Sequence, residues 1–214
     1  WEAANILRGS PVDRTDWKSY ILPLLFFKRI CDVYDEERKD MEDKFKGQVF
    51  EDDLRFKIPD NKCPTPCTEH SGNEPCRVGC HWEAVRGASK HVGTAIRNAM
   101  RGIEQANQDK MMGVFGDASW TNKERLPDDL LKDLLEHFSK LPLGNKSVQN
   151  DVMGDAYEYL IKQFADATNK KAGEFYTPRS VVRLMVDILD PQEGETIYDP
   201  ACGTGGMLLA AVEH

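Results

Sequence analysis

Thr196-Ile-Tyr-Asp199-Pro-Ala-Cys-Gly203-Thr-Gly205-Gly206-Met-Leu-Leu209 decides how this chain is read. A run of β-favouring residues, Thr196 to Tyr198, ends in an acid. A turn with glycines at 203, 205 and 206 follows, and the apolar run Met207 to Val212 then reads as a helix start. The unit is strand, glycine loop, helix. Glycines there let the backbone take positive φ and let a ligand approach closely. The helix start adds unpaired N–H groups and the positive end of the helix dipole. Such a turn suits a nucleotide-like cofactor. Leu208 stands where a dinucleotide fingerprint needs its third glycine, and the Lys-Ser/Thr pair of a P-loop is missing, which argues against both.

Upstream, Lys170-Lys-Ala-Gly173-Glu-Phe-Tyr-Thr177-Pro178-Arg179 breaks a helical pattern. Gly173 ends one helix, and Thr177-Pro178 starts the next, with Thr177 as N-cap and Pro178 at the first helical position. That helix carries Val181, Val182, Leu184, Met185 and Ile188, and Asp190 to Gly194 turns the chain into the strand before the glycine loop. On its own, Thr-Pro is simply a good helix start.

The rest of the chain reads as helices. Trp17, Ile21, Leu24, Phe27 and Cys31 fall at helical spacing and are expected to pack in a core; Pro23 should kink that helix or open a second one. The charged run Asp35 to Lys46 reads as a solvated extension. Ser89 to Ala106, with Ser89 as cap, presents Val92, Ile96, Met100 and Ile103 on one face. Asp128 to Phe138 turns Leu131, Leu134 and Leu135 inward, with Pro127 fitting its first turn, and Val152 to Ala165 forms a further helix. The expected class is mainly α. A helical domain over residues 1–147 is followed, over 148–214, by the first βα unit of a truncated Rossmann-like domain.

Residues 60–80 form a Pro- and Gly-rich loop holding Cys63, Cys67, Cys76 and Cys80. Two Cys-x3-Cys pairs lie within zinc-ligand spacing, and a metal staple would order a loop with no core of its own. Eight residues between the pairs are fewer than most zinc patterns allow, so a loop carrying free thiols stands beside the structural-zinc reading. Four thiolates leave no open position for a catalytic metal. Among 214 residues the net charge is −8, which disfavours the whole chain as a DNA-binding surface and also a zinc-dependent nucleic-acid binder. No apolar run reaches membrane-spanning length and no signal peptide is visible, so a cytoplasmic location is the default.

Asp199-Pro-Ala-Cys-Gly-Thr-Gly-Gly206 resembles the S-adenosylmethionine loop of amino-methylating DNA methyltransferases. Together with Glu174-Phe-Tyr-Thr-Pro-Arg179, it resembles the methylation (modification) subunits of type I restriction-modification systems. The likeness extends to Ile6-Leu-Arg-Gly9, to Tyr20 through Val33 and to Gly154-Asp-Ala-Tyr-Glu-Tyr-Leu-Ile161, and so covers nearly the whole chain. The family passes directly from a segment like Phe56 to Asp60 into one like His81-Trp82, so the cysteine-rich insertion is a departure and zinc is not implied by the resemblance.

The resemblance implies transfer of a methyl group from S-adenosylmethionine to the adenine amino group of a specific DNA sequence. It implies that Glu174, Phe175, Tyr176, Thr177, Pro178 and Arg179 bind the cofactor with Asp199, Thr204, Gly205 and Gly206. An acid at a strand end can take the ligand's ammonium, and helix N-terminal amides its carboxylate. The implied partners are a DNA specificity subunit, a restriction subunit, a second modification subunit and double-stranded DNA. The family's Asp/Asn-Pro-Pro-aromatic tetrapeptide, which binds the flipped base, is not found: no Pro-Pro occurs in the 214 residues. No catalytic residue is therefore assigned, and the chain reads as the N-terminal portion of a longer subunit, inactive alone and binding cofactor weakly or not at all. The competing reading is a non-enzymatic helical interaction module with a structural zinc loop.

Overall fold

The stripe from Trp17 to Cys31 packs along one long helix and is buried throughout, so the aromatic residues are core. The structure is a computed structural model that describes residues 2–59, 79–148, 154, 156, 159, 160, 163, 177–202 and 205–214. The chain divides into two units, Trp1–Asp155 and Ala156–His214.

The first unit is a helical bundle. Its elements are α1 (Glu2–Leu7), α2 (Lys18–Lys44), α3 (Trp82–Arg86), α4 (Val92–Ala106), α5 (Gln108–Met111) and α6 (Asp128–Ser139), with a 3-10 turn at Glu51–Asp53. Helix α2 packs on α3 and α6, α3 and α6 pack on α4, and α1 closes on α6. Phe27 is the hub, with its ring 5.2 Å from Trp82 and 6.4 Å from Phe115, while Tyr20 meets Trp120 edge-on at 5.2 Å. The Trp82 indole N–H donates to Ser139 Oγ at 2.8 Å, and its backbone N–H donates to the Cys31 sulfur at 3.3 Å. Burial pushes the Cys31 thiol well above its ordinary pKa, so it stays protonated and serves as packing.

Pro23 neither ends nor restarts a helix: α2 runs unbroken for 27 residues with Pro23 buried inside it. Pro23 lies early in the helix, where the absent N–H orphans a single carbonyl, and packing of the neighbouring core residues outweighs that loss. The charged run beyond Asp35 continues α2 to Lys44 as an exposed extension.

The start of α4 also differs from expectation. Ser89 does not cap it; the N-cap residue is His91, in the left-handed region at φ 54°. Its cap comes from another helix. The carboxylate of Asp128, first residue of α6, accepts the His91 N–H at 3.0 Å and the Val92 N–H at 2.9 Å. Partial burial raises the Asp128 pKa, but the two amides and Lys123 outweigh it, and the net shift is downward. A depressed folded-state pKa gives stability that is present above the unfolded carboxylate value, about 3.9, and lost as pH falls through the folded value. Asp128→Ala is therefore expected to cost ~1–2 kcal/mol at neutral pH, as for other lost caps. The deficit should shrink toward pH 3, where the wild type loses the same interaction; urea titrations at the two pH values check this.

A second buried acid, Glu104, accepts the Phe115 N–H at 3.1 Å and pairs with Arg101 at 2.7 Å, tying the loop after α5 to α4. On the other side of the unit, the side chain of Asn107 accepts the Lys57 N–H at 2.9 Å and donates to its carbonyl at 2.8 Å. The Cys80 N–H donates to the Pro59 carbonyl at 3.1 Å, so residues 59 and 80 are bonded to each other. Among the described residues no helix is long and apolar enough to cross a membrane.

The second unit contributes α7 (Arg179–Leu189) and α8 (Gly206–Glu213), which pack on each other. Of the helix expected over 152–165, the described residues 154, 156, 159, 160 and 163 are helical and the others lie outside the described residues. The β half of the expected βα unit does not form. Segment 195–199 has no ladder, and no strand occurs among the described residues. A strand is held by pairing to a neighbour; here Ile197 is 44% and Tyr198 86% exposed. The mainly α class holds, and the helix after the glycine loop forms as expected.

Candidate functional site

The glycine turn is built by its own residues. The Asp199 carboxylate accepts the Ala201 N–H at 2.9 Å, a local Asx turn that swings the chain off the preceding segment. The Gly205 N–H donates to the Cys202 carbonyl at 2.8 Å, and Gly205 takes φ 78°, where only glycine is unstrained. Its carbonyl then accepts the Leu209 N–H at 2.9 Å and launches α8. The N-cap residue, Gly205, has no side chain with which to cap α8, so it leaves the first-turn amides open to another acceptor or to a ligand.

Helix α7 begins one residue later than the sequence suggests. Pro178, at φ −55° and ψ 136°, is the N-cap residue rather than the first helical one, and Arg179 opens the helix. Thr177 thus lies one position before the N-cap. Thr177 and Pro178 are exposed, and Arg179 is half-buried.

The ends of the two helices are joined. His214, after α8, has Nε2 3.0 Å from an Asp190 carboxylate oxygen and Nδ1 3.6 Å from Asp187, both at the C-terminal end of α7. Packed side by side with their C-terminal ends clasped, α7 and α8 run in the same direction. Their N-terminal ends, Pro178-Arg179 and Gly205-Gly206, therefore lie at the same end of the pair. Nothing in the spacing of the sequence points to this clasp, since its partners are 24 residues apart.

Of the residues expected at the cofactor, Thr177, Pro178, Arg179, Asp199, Gly205 and Gly206 are placed as described. Glu174, Phe175, Tyr176 and Thr204 lie outside the described residues. A shallow cleft lined by Arg183, Val186, Asp187, Ala210, Glu213 and His214 sits at the opposite end of the helix pair and includes none of the expected residues. In the first unit, Cys80 is buried against α4, where a Cβ added to Gly102 would stand 2.4 Å from its sulfur. Cys63, Cys67 and Cys76 lie outside the described residues, and no group of metal-ligating side chains occurs among the described ones.

Comparison with known proteins settles the family. The profile described as "HsdM N-terminal domain" matches residues 1–138, and the one described as "N-6 DNA Methylase" matches residues 148–214. The chain belongs to the HsdM family. Among its relatives, the type I restriction enzyme MjaIX methylase subunit of Methanocaldococcus jannaschii is 28% identical over the whole of this chain and 38% of its own length. The EcoEI methylase subunit of Escherichia coli is 44% identical over 40% of this chain and 17% of its own. The HindI methylase subunit of Haemophilus influenzae is 33% identical over 55% and 27%. This HsdM chain thus spans 38% of the first of these proteins. The two profiles fall where the structure has its helical bundle and its paired helices, and the glycine turn lies within the second.

Proposed function

We propose that this chain is part of a modification subunit that transfers a methyl group from S-adenosylmethionine to the adenine amino group in a specific DNA sequence. The observation that supports the reading is the shared direction of α7 and α8, with Pro178-Arg179 and Gly205-Gly206, which the resemblance assigns to the cofactor, opening the two helices. The segment 1–147 is the helical partner-binding domain, and 148–214 opens the methyltransferase domain.

The residues present fit the cofactor's amino-acid end. The Asp199 carboxylate, with one oxygen held by the Ala201 amide, offers the other to an ammonium. The first-turn amides of α8 offer donors to a carboxylate. Glu174 to Arg179 line the same ligand, and Thr204 to Gly206 border it. Bound S-adenosylmethionine would supply the methyl group on its sulfonium. The protein's part is to hold the ligand in one orientation so that amine, methyl and sulfur fall in line.

The acidic balance of the chain leaves most of the grip on DNA to the specificity subunit. A restriction subunit and a second modification subunit complete the assembly, in the cytoplasm. Structural zinc on Cys63, Cys67, Cys76 and Cys80 belongs to the same reading, carried by cysteine spacing alone. A purely structural interaction module is the weaker reading, because the second unit matches a DNA methylase profile.

The full-length subunit with its specificity subunit, radiolabelled cofactor and DNA provides the test. Label is expected in N6-methyladenine, and label absent or in cytosine would sink the proposal. The 214 residues alone, without the base-binding tetrapeptide, are expected to transfer none.

A further inference from the structure

We propose that a polar row on α2 latches the connection through which the chain leaves the helical bundle. Arg29, Asp32, Glu36 and Asp40 are spaced three or four residues apart and so share one face of the helix. All of them reach the segment Leu143 to Lys146. The Arg29 guanidinium donates to the Leu143 carbonyl and, at 2.6 Å, to Asn145 Oδ1. The Asp32 carboxylate accepts the Leu143 N–H at 2.9 Å and is paired with the buried ammonium of Lys28. Glu36 accepts the Lys146 N–H at 3.2 Å, and Asp40 pairs with the Lys146 ammonium.

The fit is close. Both backbone groups of Leu143 are taken by side chains of α2. At Gly144 an added Cβ would stand 1.9 Å from a Glu36 carboxylate oxygen, so a larger residue there would push that carboxylate aside. The Gly144 carbonyl then accepts the N–H groups of Ser147 and Val148, at 3.2 and 2.9 Å, and closes a turn. The core face of α2, with Leu24, Phe27 and Cys31, is a different face. The latch therefore grips backbone from a face of α2 other than the one that packs the central core, and of the segment it holds Leu143 alone is a buried apolar residue. It holds the segment that follows α6 against α2. Its role in positioning a methyltransferase rests on the reading given above; the latch itself does not.

Amide hydrogen exchange in this chain tests it, with no cofactor or DNA present, so its failure is separate from a failure of that reading. In Arg29→Leu/Glu36→Leu, which leaves the Lys28–Asp32 pair intact, the Leu143 and Lys146 amides should exchange at least ~10-fold faster, with Ile96 and Leu134 in the core unchanged. Gly144→Ala keeps every charge and, by pushing Glu36 away, should speed exchange of the Lys146 amide that Glu36 holds. The proposal is overturned if the two amides stay as protected as in the wild type. It is equally overturned if both variants lose core protection to the same degree, because the row would then be an ordinary part of the global fold.

Discussion

Gly93→Ala is expected to lower the melting temperature of the helical unit by ~6–12 °C. A Cβ at this position would stand 1.9 Å from the Trp120 carbonyl oxygen and 2.8 Å from its carbon. The obstacle is backbone, which no rotamer change can move aside. Trp120 is itself held, buried and meeting Tyr20 edge-on. Relief requires α4 to lift from the 116–120 segment, which also disturbs Leu131 at 3.2 Å. Overpacking in a core typically costs 1–3 kcal/mol, and the rigid obstacle puts this case near ~3 kcal/mol. At roughly 2–4 °C per kcal/mol for a unit of this size, the stated range follows. Calorimetry on the two proteins decides it; a fall under about 2 °C would mean that α4 and the loop are not packed as described.

Gly205→Val in the full-length subunit is expected to weaken S-adenosylmethionine binding by ~10–100-fold. The residue sits at φ 78°, where a β-branched side chain costs ~1–3 kcal/mol, and every 1.4 kcal/mol is a factor of ten. The strain falls on the bond that turns the chain into α8, so the first-turn amides lose their aim. Gly206→Ala separates backbone from ligand. Gly206 has no positive φ, and nothing lies within 4 Å of an added Cβ, so the protein should tolerate alanine or gain slightly. If Gly206→Ala nevertheless weakens binding, the loss reports close approach of the ligand. Titration calorimetry measures both; unchanged affinity in Gly205→Val would remove the turn from the cofactor site.

Periodicity made much of this structure legible. Val92, Ile96, Met100 and Ile103, and again Leu131, Leu134 and Leu135, are buried because a face of apolar residues at helical spacing has one place to go. The glycine turn was legible for a different reason: positive φ narrows the choice of residue, and Gly205 adopts it. What sequence could not show was partnership. Asp128 caps a helix 36 residues back, and His214 clasps Asp190 from 24 residues on; in neither case does local spacing name the partner. Pro23 opens no second helix because propensity weighs one lost bond, while the core weighs the buried Leu24, Leu25 and Phe27 around it. Thr196 to Tyr198 carry strand propensity, yet propensity does not make a ladder without a neighbouring strand. Ile197 and Tyr198 are exposed, as are Leu184, Ile188 and Leu209, so among the described residues of the second unit few side chains are buried. Of the candidate site, the turn and the head of α7 could be compared with expectation, while Glu174 to Tyr176 and Thr204 lie outside the described residues.

The bond between Pro59 and Cys80, braced by Asn107 on Lys57, has an engineering consequence. A chain whose two ends are already tied can change length between them at small entropic cost: each doubling adds only about 0.6 kcal/mol. Residues 59 and 80 therefore define a graft point. A reporter peptide, an epitope or a small folded domain placed between them leaves the helices on either side with the same neighbours and the same bonds.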